Sequence, residues 1–320
     1  MKQNSGKIFL FTALILSVGI TLFESEINAY YFQIIIYIGI NIILATSLNL
    51  INGFAGQFSL GHAGFMALGA YTASITTMSL QLSKDNPTNI FILPIALILG
   101  GVVSATAGLI VGIPSLRLRG DYLAITTLGF GEIIRVVIQN LEFLGGARGL
   151  TGIPKLSNFF WVFGFVAIVI YVVSHLINST YGKGFLAVRD DEIAAQAMGI
   201  NTTKYKVVAF VTGAFFAGIA GGLYAHFVSY INPQQFSFIK SIEIVVMVIV
   251  GGMGSTIGVF IAAIVLTVLP EALRGVAEYR MVIYSLMLVI IMITRPQGIF
   301  GKGFNVKNLI KSVRRPATTS

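Results

Sequence analysis

The chain has no cysteine and very little charge. The first absence excludes disulfides, zinc–thiolate sites and cysteine nucleophiles. Only three histidines are present, His62, His175 and His226, and they stand far apart in sequence, which argues against a histidine-rich metal site. Charged residues make up 10% of the 320 positions, against roughly 25% in a soluble domain. A chain this poor in charge cannot cover a water-facing surface, so most of its area must face lipid. Motifs for covalent chemistry are also missing. Lys183 and Lys302 follow glycine, but neither is followed by Ser or Thr, and no phosphate-binding glycine loop precedes them. Neither a Gly-x-Ser-x-Gly elbow nor a His-Glu-x-x-His pair occurs. The chain therefore does not itself hydrolyse ATP, and nothing in it makes an enzyme's nucleophile, base or metal constellation.

What is abundant is apolar: 56% of residues are hydrophobic and the mean hydropathy is +0.87. A membrane-spanning helix needs about 20 mainly apolar residues. Such runs cover residues 8–23, 30–50, 63–80, 90–113, 122–138, 159–177 and 207–230, followed by a longer tract over 239–270 and a last run over 281–294. The expected fold is all-α, a polytopic transmembrane bundle. Residues 1–302 are expected to form the transmembrane domain and 303–320 a basic cytoplasmic tail. The first run reads as an uncleaved helix; a signal peptide is the alternative, although Glu24 and Glu26 follow directly and no small-residue cleavage site is evident.

The net charge of +9 fits cytoplasmic loops rich in Lys and Arg rather than a nucleic-acid surface. Lys2 and Lys7 place the N-terminus in the cytoplasm. Arg117 and Arg119, then Lys183, Arg189, Lys204 and Lys206, mark later returns. The tail, with Arg295, Lys302, Lys307, Lys311, Arg314 and Arg315, is expected there too. Parity then requires an even number of crossings from 239–270. As one helix that tract would run about 48 Å, too long for a hydrocarbon core of about 30 Å. Gly251, Gly252 and Gly254, with Ser255, open a turn inside it. Two short helices meeting there give about ten spans; a re-entrant hairpin gives eight.

A second glycine-rich break covers 53–64, and Gly53/Gly56/Gly61 loosely match Gly251/Gly254/Gly258. Paired interruptions of this kind can mark an internal repeat and a transport pathway. Pathway candidates are therefore Gly56, Gln57, Ser59, Gly61 and His62 at the first break, Gly251, Gly252, Gly254 and Ser255 at the second, and Asp121, Thr126, Thr127 and Glu132 on the fifth run. Glu132 and Arg135, three residues apart, can pair on one helix face. Glu243 has only Lys240 nearby in sequence. Gly213, Ala217 and Gly221, and likewise Ala214, Gly218 and Gly222, make small-residue stripes suited to tight helix packing.

The loop after the sixth run carries the most information. Arg189, Asp190, Asp191 and Glu192 precede Ile193, Ala194, Ala195, Ala197 and Met198, and Gly199 follows. Acids at the start and glycine at the end are helix start and stop signals, so a short cytoplasmic helix is expected over about 189–200. Its small apolar face suits another protein's groove.

This loop resembles the coupling helix of ABC-importer permeases, in which Glu-Ala-Ala is followed after three residues by Gly. Ala194, Ala195 and Gly199 keep that spacing, whereas Ile193 separates Glu192 from the alanines. With Ser47-Leu48-Asn49-Leu50, the stretch 56–65, Gly120-Asp121-Tyr122-Leu123, Gly149-Leu150-Thr151-Gly152, Gly251-Gly252-Met253-Gly254-Ser255 and Arg295-Pro296-Gln297-Gly298, nearly the whole chain is similar to LivM-type permeases of the branched-chain amino acid ABC transporter family. The resemblance implies a permease that imports leucine, isoleucine or valine. Its implied partners are a homologous LivH-like permease, two cytoplasmic ATPase subunits (LivG-like and LivF-like) and an external binding protein. It implies no cofactor on this chain, with ATP and Mg on the partners, and residence in the bacterial plasma membrane. Arg189, Asp190, Asp191, Glu192, Ala194, Ala195 and Gly199 become the ATPase-coupling residues. Urea or short-amide permeases look similar, and an ion-coupled carrier using Glu132 or Glu243 is the alternative of another class.

Overall fold

The computed structural model describes residues 28–80, 89–115, 121–276 and 279–294, with positions 17, 19, 21 and 298. The first run at 8–23, the loop around Arg117 and Arg119, the side chain of Asp121 and the basic tail at 303–320 lie outside the described residues. Helix α1 (Ala29–Asn49) starts where the Asn28 side chain accepts the Tyr30 N–H, and it continues through a π-helical turn, Leu50–Phe54. There follow α2 (His62–Ser79), α3 (Asn89–Ser115), α4 (Asp121–Asn140), α5 (Phe159–Asn178), α6 (Thr180–Asp190) and α7 (Glu192–Ala197). The chain closes with α8 (Thr202–Val228), α9 (Phe238–Gly251), α10 (Thr256–Ala272) and α11 (Arg280–Thr294).

Among the described residues, six helical stretches are long and apolar enough to cross a membrane: Ala29–Phe54, Ile92–Ser115, Tyr122–Asn140, Phe159–Asn178, Thr202–Val228 and Pro233–Gly251. The α2 helix is not among them, because His62, three threonines, two serines and two glycines lower its apolar content. Its polar side chains are served internally: Ser74 Oγ donates to the Ala70 carbonyl at 2.7 Å, and Thr77 Oγ1 lies 2.9 Å from His226 Nε2. A helix with protein on all sides need not be apolar all round. By contrast α3 turns Ile95, Ile98, Val102 and Ile110 outward, as a lipid-facing surface requires.

The α8 helix is the packing centre, and its two small-residue stripes serve different neighbours. Gly221 lies so close to α2 that a Cβ there would overlap the Met66 carbonyl oxygen, and Gly213 meets Ile51. On the other stripe, Gly218 approaches both Gly69 and Ser104, and Gly222 meets Leu97 of α3. Lipid supplies no hydrophobic drive between helices, so close backbone approach provides the attraction through dispersion. The expected packing role of these stripes is what the geometry shows.

A two-residue antiparallel pair, β1 (Leu150–Thr151) with β2 (Tyr230–Ile231), ties the ends of α4 and α8 together on one face. The opposite face carries α6, α7 and the turn between α9 and α10. Along the tract expected to break, α9 ends at Gly251 and α10 begins at Thr256. Gly252 (φ 96°) and Gly254 (φ 83°) adopt left-handed conformations that side chains disfavour, which is why the turn falls there.

Candidate functional site

The loop between α5 and α8 folds as two helices rather than one, a correction to the single helix expected over 189–200. Arg189 and Asp190 close α6, and Asp191 is extended (φ −156°, ψ 108°). The reason is local: the Asp191 side chain accepts the N–H groups of Ile193 at 2.9 Å and Ala194 at 3.0 Å, capping α7. Glu192 is anchored to Lys206 at 2.7 Å. Ala195 is buried against the bundle, while Ile193 and Met198 are 68% and 82% exposed. Gly199 ends the unit with φ 81°. This short helix therefore rests on its own bundle by one side and presents an apolar pair on the other.

Arg189 joins this unit to the bundle. Its Nη1 donates to the Gly53 carbonyl at 3.2 Å, and a Cβ on Gly254 would lie 3.2 Å from the same nitrogen. Gly56 packs on the Arg189 backbone and side chain, 2.7 Å from Cβ position to Cγ. The two glycine breaks also touch each other: a Cβ on Gly53 would overlap the Gly254 nitrogen, whose N–H donates to Asn49 Oδ1 at 2.9 Å. Three segments far apart in sequence thus converge on one guanidinium, which Asp190 holds at 2.8 Å.

Above this junction lies a buried polar cluster. His62 Nε2 sits 2.9 Å from Ser47 Oγ, and Asn52 Oδ1 accepts the Ser59 N–H at 3.2 Å. Gln57, Ser59 and His62 are all buried, yet both side-chain polar atoms of Gln57, Ser59 Oγ and His62 Nδ1 have no hydrogen-bond partner among the described residues. Non-helical backbone at membrane depth is tolerated where it lines a wet cavity or is buried in protein, and the polar content of this break fits that rule. Gly61 packs on the Thr127 carbonyl, and Thr127 Oγ1 accepts the Leu60 N–H at 3.0 Å. Thr126 turns its hydroxyl back onto the Tyr122 carbonyl, at 2.8 Å. The structure therefore brings Thr127 to the first break but not Thr126.

Glu132 and Arg135 pair at 2.7 Å, as their spacing predicts. The second oxygen of Glu132 accepts the Phe238 N–H at 3.0 Å, so this carboxylate also neutralises the positive end of α9. Lys240 and Glu243 pair at 2.9 Å and line a cavity of about 380 Å³ together with Glu271. Glu271 was not among the sequence candidates. The signal that marks it is a carboxylate at the end of an apolar run, directly after Pro270.

Comparison with known proteins places these features. The family described as branched-chain amino acid transport system, permease component, matches residues 30–292. The high-affinity branched-chain amino acid transport system permease protein LivM of Salmonella typhimurium is 37% identical over 295 residues, covering 81% of this chain and 67% of the relative. LivM of Escherichia coli matches equally well. The corresponding LivH protein of Salmonella typhimurium is 24% identical, covering 81% of this chain and 91% of its own length. No solved structure matches the chain.

Proposed function

The chain belongs to the family of permease components of branched-chain amino acid transport systems, a multi-pass integral membrane protein, and from that premise we propose that it is the LivM-like half of an ATP-driven importer. In this reading a LivH-like permease completes the pathway, LivG-like and LivF-like ATPases bind ATP and Mg below, and an external binding protein delivers leucine, isoleucine or valine. This chain contributes no cofactor site of its own.

The observation that carries the coupling is Arg189. The α7 helix offers Ile193 and Met198 to a partner, and the residue before its cap region touches both glycine breaks of the bundle. Movement imposed on α7 by an ATPase is delivered to the two places where the membrane helices can bend. A bistable element biased from both ends is what alternating access requires.

In this reading the chain crosses ten times, with both termini in the cytoplasm. Two contacts support it. Tyr30, at the start of α1, donates to Glu271 near the end of α10 at 2.6 Å, and Asn49, at the other end of α1, meets Gly254 before α10 begins. The α10 helix thus runs the depth of α1 rather than turning back halfway. Gly298 packs against Gly252, which returns the chain beyond α11 to the face of α6 and α7.

The test is Arg189→Ala in the complete transporter reconstituted in vesicles. ATP hydrolysis is expected to persist while leucine uptake falls roughly tenfold or more, the size of a typical coupling free energy. Uptake at the wild-type rate would remove Arg189 from the coupling path. Uptake by this chain alone, without ATP, would replace the importer with an ion-coupled carrier, and uptake of urea but not leucine would reassign the substrate.

A further inference from the structure

One cavity, of about 380 Å³, falls in the ~300–1,000 Å³ range of small-molecule sites. Its lining is divided by chemistry. Lys240, Glu243 and Glu271 bring charge of both signs, while Met66, Met247 and Leu266 form an apolar wall. A second chamber of about 240 Å³ shares Tyr37 and Glu271 with the first and adds Arg274. Both lie toward the Tyr30 end of α1, remote from Arg189. Ionisable side chains within a membrane bundle are costly and tend to mark substrate or ion pathways.

The charges are present but loosely committed. Lys240 and Glu243 pair at 2.9 Å, with side-chain exposures of 24% and 45%. A half-open pair of this kind contributes little net stability, so a ligand's charges can replace it at small cost. Among the described residues, Glu271 accepts a hydrogen bond from Tyr30 at 2.6 Å, and its carboxylate has further lone pairs to offer.

We propose that these chambers are a transit site, within this chain, for a small zwitterion with an aliphatic side chain. The ligand's ammonium goes to Glu271 and Glu243, its carboxylate to Lys240, and its side chain to Met66 and Leu266. A simple cation or anion would leave one sign of charge unmatched, and a neutral amide would leave both. A passage site must bind strongly enough to admit the solute and weakly enough to release it, and charges that re-pair with each other after the solute leaves meet that need. The proposal rests on the importer reading above and adds where in this chain the solute is held.

The chain's lack of cysteine supplies the test. Thr267→Cys puts a single thiol of this chain on the cavity wall, and its modification by a methanethiosulfonate reagent is followed by mass spectrometry in the complete, reconstituted transporter. L-Leucine is expected to slow modification severalfold, whereas isocaproate, which lacks the ammonium, and urea leave the rate unchanged. Adding Glu243→Gln should raise the leucine concentration needed for half-protection about tenfold, the loss of one charge-assisted contact. Met66→Cys on α2 gives an independent reading if Thr267→Cys fails to assemble. A labelling rate indifferent to leucine, in a complex that imports leucine, overturns the transit site; so does equal protection by urea. A wild-type complex that imports no leucine overturns the importer reading itself and the transit site with it.

Discussion

A single added methyl group separates two kinds of glycine in this chain. At Gly221 a Cβ would overlap the Met66 carbonyl, whereas at Gly129 on α4 it would meet nothing within 4 Å. Gly221→Ala is therefore expected to destabilise the solubilised chain by about 1–3 kcal/mol through overpacking. Gly129→Ala should be neutral or stabilise it by up to about 1 kcal/mol, because alanine loses less freedom in a helix. Thermal unfolding of the two variants side by side in one detergent is the check; equal losses would mean that α8 and α2 do not approach as described. The stripe that includes Gly221 is legible in the sequence. Its neighbour is not, because four-residue spacing shows that two backbones meet without showing which.

At the scale of one element, α7 is short, six residues, and short helices are marginal without caps and contacts. Its stability depends on Asp191, which caps it, and on Ala195, which is buried. Asp191→Ala should cost about 1 kcal/mol and raise amide hydrogen exchange over 192–197 while leaving α8 protected. Met198→Glu acts differently. It keeps the fold, since this side chain is 82% exposed, but it places a charge on the apolar pair proposed above to meet the ATPase. Co-purification of the ATPase subunits should fall, and retention at the wild-type level would move their docking site away from α7. The acids and glycine around this segment announced a helix. The division at Asp191 was less visible, because Arg189 and Asp190 suit the last turn of one helix as readily as the approach to another.

Across the whole molecule, the ten crossings proposed above make a testable map. Residues between α10 and α11 should be reached by an impermeant thiol reagent from the binding-protein side, and residues 192–199 only after the membrane is opened. Single substitutions Arg274→Cys and Gln196→Cys report the two positions. Labelling of both from the same side would break the topology and, with it, the placement of α7 beside the ATPases. The enclosed α2 is less apolar than its neighbours because it carries His62, Ser74 and Thr77, whose polar groups find partners inside the bundle.

Hydropathy, glycine spacing and capping residues are short-range properties, and they were enough to determine a membrane bundle, the six apolar spans found among the described residues, the break after Gly251 and the presence of helix near Glu192. Only the tertiary structure decided that the two breaks touch each other beside Arg189, through Gly53 and Gly254. It also decided that Lys240, Glu243 and Glu271 share a cavity walled by α1, α2, α8, α9 and α10. The physical reason is that in lipid one apolar helix face is nearly as good as another. Local sequence therefore fixes which segments are helical, while the choice of which faces meet rests on backbone approach and a few polar contacts that exist only once the bundle has assembled.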